Sequence, residues 1–129
     1  MAEQTGDPEL LLPLTLAAFH ILLALIGGER HGYGIMQETA HSSAGKLNLG
    51  PGTLYRSIRR LESDGLIEES DERPAPDLDD ERRHYYRLTP FGLRVARAEA
   101  ERLAALVRIA QSKQLLPQSG EIALEGGMS

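Results

Sequence analysis

Cysteine is absent from the 129-residue chain, which excludes disulfides, thiolate metal sites and cysteine redox sensing. Such a composition suits a cytoplasmic protein. Histidine is scarce: His20, His31, His41 and His84 include no i, i+4 pair on one helix, so neither a metal site nor another cofactor is expected. The first nine residues carry Glu3, Asp7 and Glu9 and no Lys or Arg, so the positive start of a secretory signal is missing. Residues 10–26 are apolar but include Pro13, Thr15 and His20. At about 17 residues this run sits at the lower bound for a membrane span, and it reads as a buried helix. Ser/His/Asp spacing, a phosphate-binding glycine loop and a carboxylate pair with a chemical logic are all missing, so an enzyme is not expected.

What is present is an ordinary globular composition, 41% hydrophobic and 26% charged. The length fits one domain with one modest core and no separate ligand-binding domain. A net charge of −5 argues against general coating of nucleic acid. It leaves room for a local basic patch, because the position of the charges decides.

Residues 1–9 read as a loosely ordered tail. Residues 14–26 read as a helix apolar nearly all round, capped by Thr15 and ended by Gly27-Gly28. A short second helix spans 31–40, with Tyr33, Ile35, Met36 and Thr39 as its apolar surface. His31 is read as a capping or packing residue. Pro51 opens a third helix, in which Leu54, Ile58 and Leu61 form the inward stripe. Gly65 suits its C′ position, and Leu66 closes the contact after it. Two strands follow at 66–70 and 83–88. Between them a polar, acidic stretch is too long for a tight turn. Thr89-Pro90 starts a last helix, Thr as N-cap and Pro at N1, running to about Leu115. Three helices, a β-hairpin and a long helix predict a mainly α fold: a winged helix-turn-helix over 10–89, a dimerisation helix over 90–116 and a flexible tail over 117–129.

The third helix carries the functional signal. With Leu54 at the centre of the buried face, Arg56 points about 160° away, Arg59 about 140° and Arg60 about 120°. Gly52 and Ser63 also face outward, and no acid occurs from Pro51 to Leu61. The planar guanidinium binds a phosphate or a guanine edge with two hydrogen bonds. Thr53 and Tyr55 flank this surface, and Gly52 admits a close backbone approach. An exposed arginine face alone is common on a solvated helix. The hairpin decides the reading, because Arg82 and Arg83 stand at its base and Arg73 on its other limb. Asp77, Asp79, Asp80 and Glu81 would repel phosphates, so this acidic tip either points away from DNA or pairs with the wing arginines when DNA is absent. The alternative is a winged-helix module that binds a protein through that loop.

The stretch His31-Gly32-Tyr33-Gly34-Ile35 comes first, then Gly52-Thr53-Leu54-Tyr55, Arg59-Arg60-Leu61-Glu62 and Gly65-Leu66-Ile67. Arg83-His84-Tyr85-Tyr86-Arg87-Leu88-Thr89 and Gly92 complete the set. Together these segments resemble the PadR-like transcriptional regulators. The resemblance implies a winged helix, a homodimer formed through the N- and C-terminal helices, a palindromic operator in double-stranded DNA, repression, and a small-molecule effector near the dimer interface. With 5% aromatics and no Trp, the chain has little to stack on a flat drug, and the acidic wing insertion departs from the simplest family pattern.

The dimer is also expected from the residues themselves. The first and last helices offer more apolar surface than one small core covers. The expected interface comprises Leu16, Phe19, His20 and Leu23, with Leu93, Ala96, Ala100, Leu103, Leu106, Val107 and Ala110. In the resulting picture Gly52, Tyr55, Arg56 and Arg59 lie nearest the bases. Thr53 and Arg60 lie towards phosphates, and Arg73, Arg82 and Arg83 meet the adjacent backbone or minor groove.

Overall fold

The computed structural model describes residues 6–70 and 84–118. After a 3-10 turn at Pro8–Leu11, the described elements are α1 (Leu16–Ile26), β1 (Arg30–His31), α2 (Gly32–Ser42), α3 (Pro51–Ser63), β2 (Ile67–Ser70), β3 (Tyr85–Leu88) and α4 (Pro90–Ser112). The fold is mainly helical, with a winged-helix order of elements. Pro8 and Glu9, read as tail, belong to the opening turn, and the expected strand starts at 66 and 83 move to Ile67 and Tyr85. Residues 47–50, between α2 and α3, carry no strand.

Three helices, α1, α2 and α4, begin where a side chain satisfies a free backbone amide. The Thr15 hydroxyl accepts the Ala18 N–H at 3.0 Å and starts α1. His31 Nδ1 accepts the Gly34 N–H at 3.0 Å and caps α2. The Thr89 hydroxyl accepts the Gly92 N–H at 2.9 Å and caps α4, with Pro90 at its first position. Gly65 ends α3 with φ of 80°, and the Leu66 N–H donates to the Leu61 carbonyl at 2.9 Å. The last helix stops at Ser112 rather than near Leu115. Gln114 takes a left-handed conformation (φ 66°), the Leu115 N–H donates to the Ala110 carbonyl at 2.9 Å, and the Gln111 amide reaches the Pro117 carbonyl at 2.9 Å.

One core holds these parts together. Ile21, Leu22 and Leu25 of α1 meet Ile35 of α2, Leu54, Ile58 and Leu61 of α3, Leu66, and Phe91 and Val95 of α4, all buried. The sheet lies on this core in the order β1-β3-β2, antiparallel, with Glu69 opposite Tyr86 and Ser70 opposite Tyr85. The third strand was not anticipated. β1 is only two residues long, pairs Arg30 with Tyr86 and His31 with Tyr85, and has no alternation to read.

The turn between α3 and β2 is locked onto the start of α4. Thr89 donates its hydroxyl to the Gly65 carbonyl at 2.6 Å and its N–H to the Leu66 carbonyl at 3.1 Å. Gly92 lies so close that a side-chain carbon there would sit 2.9 Å from the Leu66 carbonyl carbon. Further along α4, Glu99 is buried and accepts both Arg102 donors, at 2.7 and 2.8 Å. The Arg102 hydrogen bonds hold its carboxyl below the ordinary range against the opposing effect of burial, with help from the Leu14 backbone N–H. Glu99 thereby anchors the N-terminal segment to α4, and Arg94 adds a bond to the Gly6 carbonyl at 3.3 Å.

Two expectations follow. Gly92→Ala drives a methyl into backbone and costs about 2–3 kcal/mol in denaturant unfolding. Gly52→Ala, with nothing within 4 Å, stays at parental stability or gains about 0.5–1 kcal/mol. Equal stabilities for the two variants would refute the close contact. Glu99 has a lowered value in the fold, so the stability it adds is complete above the ordinary carboxylate range and is lost as pH falls through the lowered value. Glu99→Gln therefore lowers the melting midpoint at pH 7 by about 5 °C, with the gap closing on acidification.

Candidate nucleic-acid interface

The first turn of α3 is open. Gly50 is its N-cap and supplies no side-chain hydrogen bond, and Pro51, Gly52 and Thr53 are exposed. Backbone N–H groups at a helix start carry positive partial charge and suit a phosphate. The absence of a side chain at Gly52 serves no internal contact, since a carbon there meets nothing within 4 Å and its φ is not left-handed. That residue leaves room for something outside the chain.

Leu54, Ile58 and Leu61 face inward as expected, at 0%, 1% and 2% exposure. Their burial turns Arg56, Arg59 and Arg60 outward together. Arg56 reaches the Thr53 hydroxyl at 3.4 Å, a neutral partner, and Arg60 lies 3.5 Å from Asp64. Tyr55 stands at the margin of this face. Its ring packs on α2, with Cζ 2.8 Å from where a side-chain carbon would stand on Gly32. The phenol fastens α3 to α2 and keeps only 38% of its surface exposed, so it is an edge of the arginine face and not its centre.

Tyr33 departs from expectation. Read as apolar surface of the second helix, it is 56% exposed, while Ile35 and Thr39 take the buried positions. Its ring lies parallel to His31 at 6.3 Å, and His31 meets Tyr85 edge-on at 5.3 Å. His31 is thus a capping and packing residue, and Tyr33 is an exposed hydroxyl at the start of α2. The signal for it was the pair of glycines flanking Tyr33, which leaves the ring no bulky sequence neighbours.

The far end of α3 is acidic. Glu62 is half-buried and its carboxyl is pushed above the ordinary range, first by burial and then by the charge of Glu69. Glu69 pairs with His84 where the described wing stem ends. Tyr86 beneath them is pushed up to about 12 by burial and by both carboxylates. On the sheet, Arg87 is held by Glu68 at 2.9 Å and Glu29 at 3.7 Å. Along α3 itself, basic side chains therefore occupy the first turns and acidic ones the far end. Arg73, Arg82 and Arg83 and the acidic residues 77–81 lie outside the described residues.

Comparison with known proteins places this arrangement. The model of the transcriptional regulator PadR-like family matches residues 21–98. The chain belongs to the PadR-like family of transcriptional regulators. Transcriptional regulator Rv3488 of Mycobacterium tuberculosis is 35% identical over 89 residues, 69% of this chain and 77% of that protein. A transcriptional regulator from Clostridium thermocellum has a similar structure, with a TM-score of 0.62 at 26% identity over 74% of this chain and 87% of that one. A PadR family regulator from Clostridium difficile shares the fold, with a TM-score of 0.63 at 21% identity over 76% and 97%.

In this PadR-like regulator α1 and α4 pack together and leave apolar residues outside. Leu16, Leu23, Leu106 and Val107 are 64%, 43%, 50% and 43% exposed, and Ala100 is exposed as well. Phe19, His20, Leu93, Leu103 and Ala110 are half-buried, and His20 Nδ1 lies 3.2 Å from the Ser42 hydroxyl. Ala96 is the exception. It is 6% exposed and belongs to the protomer's own core, because the first turns of α4 cover α1 and the sheet. Ile26, Ile109 and Leu116 add exposed apolar surface beyond the residues expected at the interface. No helix among the described residues is long and apolar enough to cross a membrane, and no group of His, Asp or Glu among them could hold a metal ion.

The raised Glu62 carboxyl has a consequence for stability. A fold that disfavours the ionised form loses stability as pH rises from the ordinary carboxylate range through the raised value. Glu62→Gln is expected to raise the melting midpoint at pH 7 by about 1–3 °C, with no gain below the ordinary range. A lower midpoint at pH 7 would contradict the assigned environment.

Proposed function

We propose that this regulator is a sequence-specific DNA-binding repressor that acts as a homodimer on a two-fold-symmetric operator. The observation that carries the reading is the acid-free outward face of α3, where Gly52, Arg56, Arg59 and Arg60 stand exposed over a stripe buried in the core. In this reading Arg56 and Arg59 meet base edges, and Thr53, Arg60 and the first-turn amides meet phosphates. Tyr55 holds the helix at its depth and borders the contact. Tyr33 adds a phosphate contact from α2. The wing arginines Arg73, Arg82 and Arg83 reach the neighbouring backbone or minor groove.

The second protomer covers the apolar surface of α1 and α4, through Leu16, Phe19, His20, Leu23, Ala100, Leu103, Leu106, Val107 and Ala110, with Leu93 at the margin. Two-fold symmetry then sets the half-sites about one helical turn, ~34 Å, apart. Repression follows from occupancy, since a small protein seated across a promoter excludes polymerase.

The charge distribution shapes the energetics. A handful of guanidiniums on an acidic protein release few counterions, so base contacts must supply much of the discrimination. Arg56→Ala is expected to weaken operator binding by about 1–3 kcal/mol and to relax one base position. Arg82→Ala is expected to weaken operator and random DNA alike. Gel shifts on both DNAs, repeated at several salt concentrations, check this. Unchanged operator affinity in both variants, or binding indifferent to salt, sinks the assignment and favours a protein partner.

A further inference from the structure

One flank of α3 faces the sheet. Tyr55, Arg59 and Glu62 follow one another at i, i+4 and i, i+3 spacing, which sets them in one row along the helix. Across from them, Glu69 of β2 pairs with Tyr86 of β3, and His84 precedes Tyr86 by two positions. Paired positions and i, i+2 positions share a sheet face, so Glu69, Tyr86 and His84 stand on one side. Tyr86 is buried, and its neighbours include Tyr55, Arg59 and Glu62 of α3. Glu68 and Arg87 take the opposite side, where they bind each other at 2.9 Å. On β1, Arg30 opposes Tyr86, but its guanidinium is engaged by the Ala24 carbonyl at 2.7 Å and by Glu38 at 3.8 Å.

The charges in this cluster balance only in one protonation state. Glu62 is half-buried, and Glu69 forms an ion pair with His84, each with about half of its side chain exposed. Tyr86 is neutral at ordinary pH, being pushed up to about 12. Among the described residues, two carboxylates therefore face two cations, Arg59 and a protonated His84. Imidazole is the side chain whose charge changes between about pH 5 and 8. Once His84 is neutral, Arg59 is the one described cation left to both carboxylates. Glu62 stands one turn along α3 from it, within reach of the guanidinium. Burial and Glu69 already disfavour the ionised Glu62, so a guanidinium brought close relieves it. The same guanidinium is a proposed base contact, and it cannot serve the carboxylates and DNA at once.

We propose that Glu62 and Glu69 hold Arg59 back from DNA when His84 is neutral, and that protonation of His84 frees it, so that this regulator binds its DNA more tightly as pH falls. The DNA half rests on the reading of α3 as the DNA-contacting helix. Glu62, Glu69 and His84 are positioning residues: they act through Arg59, and none of them needs to touch DNA. The linkage has a definite sign. Binding DNA favours the protonated imidazole, so complex formation takes up protons, and affinity is lost as pH rises through the imidazole range.

The test measures affinity of the full chain for its selected DNA by fluorescence anisotropy, at constant ionic strength, between about pH 6 and pH 8.5. Parental affinity is expected to fall about fivefold across that range. His84→Gln binds at the weaker level throughout. Glu62→Gln, which keeps the fold, binds at the tighter level throughout, because one carboxylate then faces Arg59. Arg59→Gln binds more weakly and loses the pH response. A histidine that instead grips a phosphate directly keeps its pH response in Glu62→Gln and Arg59→Gln. A second readout needs no DNA. In the free protein the Arg59 Nε–Hε NMR resonance is expected to shift in step with the His84 imidazole, and to stop doing so in Glu62→Gln. A flat parental profile, a profile that survives His84→Gln, Glu62→Gln or Arg59→Gln, or an Arg59 resonance indifferent to His84 overturns the proposal. An Arg59 resonance that follows His84 in a protein that selects no DNA supports the cluster and overturns the repressor reading, so the two failures are separable.

Discussion

The contact between Gly92 and the Leu66 carbonyl is the constraint on which the rest of the structure depends. At this point the end of α3, the first residue leading into β2 and the first turn of α4 come within backbone distance. Thr89 reinforces it three times over, capping α4 while holding the Gly65 and Leu66 carbonyls. Those two carbonyls belong to the left-handed turn that ends α3, so the turn has no freedom to rotate. The exit direction of α3 is fixed, and with it the direction of the wing stem and of the long helix. A helix proposed to read DNA must present its side chains within fractions of an ångström. Here its rigidity comes from a glycine crossing and a capping threonine, with the Leu54, Ile58 and Leu61 stripe seated in the core behind it.

Charge is distributed by the same geometry. The register of α3 puts three arginines on the outside of a chain whose net charge is −5. Glu62, Glu69 and His84 gather at the other end of the helix, against the wing stem. The basic surface is small and bounded, which favours a partner that reads position and shape over one that only supplies negative charge.

Much of this was legible in the residues, and for identifiable reasons. The i, i+4, i+7 spacing of Leu54, Ile58 and Leu61 decides both the core and the outward face. Thr15, Thr89-Pro90 and Gly65 mark element ends because caps act within a few residues. What escaped depends on contacts far apart in sequence. A two-residue strand such as Arg30–His31 has no period of its own and exists only because β3 lies beside it. Tyr33 stands exposed where apolar helix surface was expected, and the missing side chain at Gly32 admits the Tyr55 ring instead. Ala96 sits on the apolar side of α4, but apolarity does not say whether the covering surface comes from the same chain or a second one.

In the function proposed above, the arginine face of α3, doubled by two-fold symmetry, reads a DNA sequence. Selection of bound DNA from a random library with the purified full-length protein tests it most directly. The expected result is enrichment of a two-fold-symmetric consensus whose half-sites lie about one helical turn apart. Enrichment of no sequence, or of a single unpaired half-site, would contradict it.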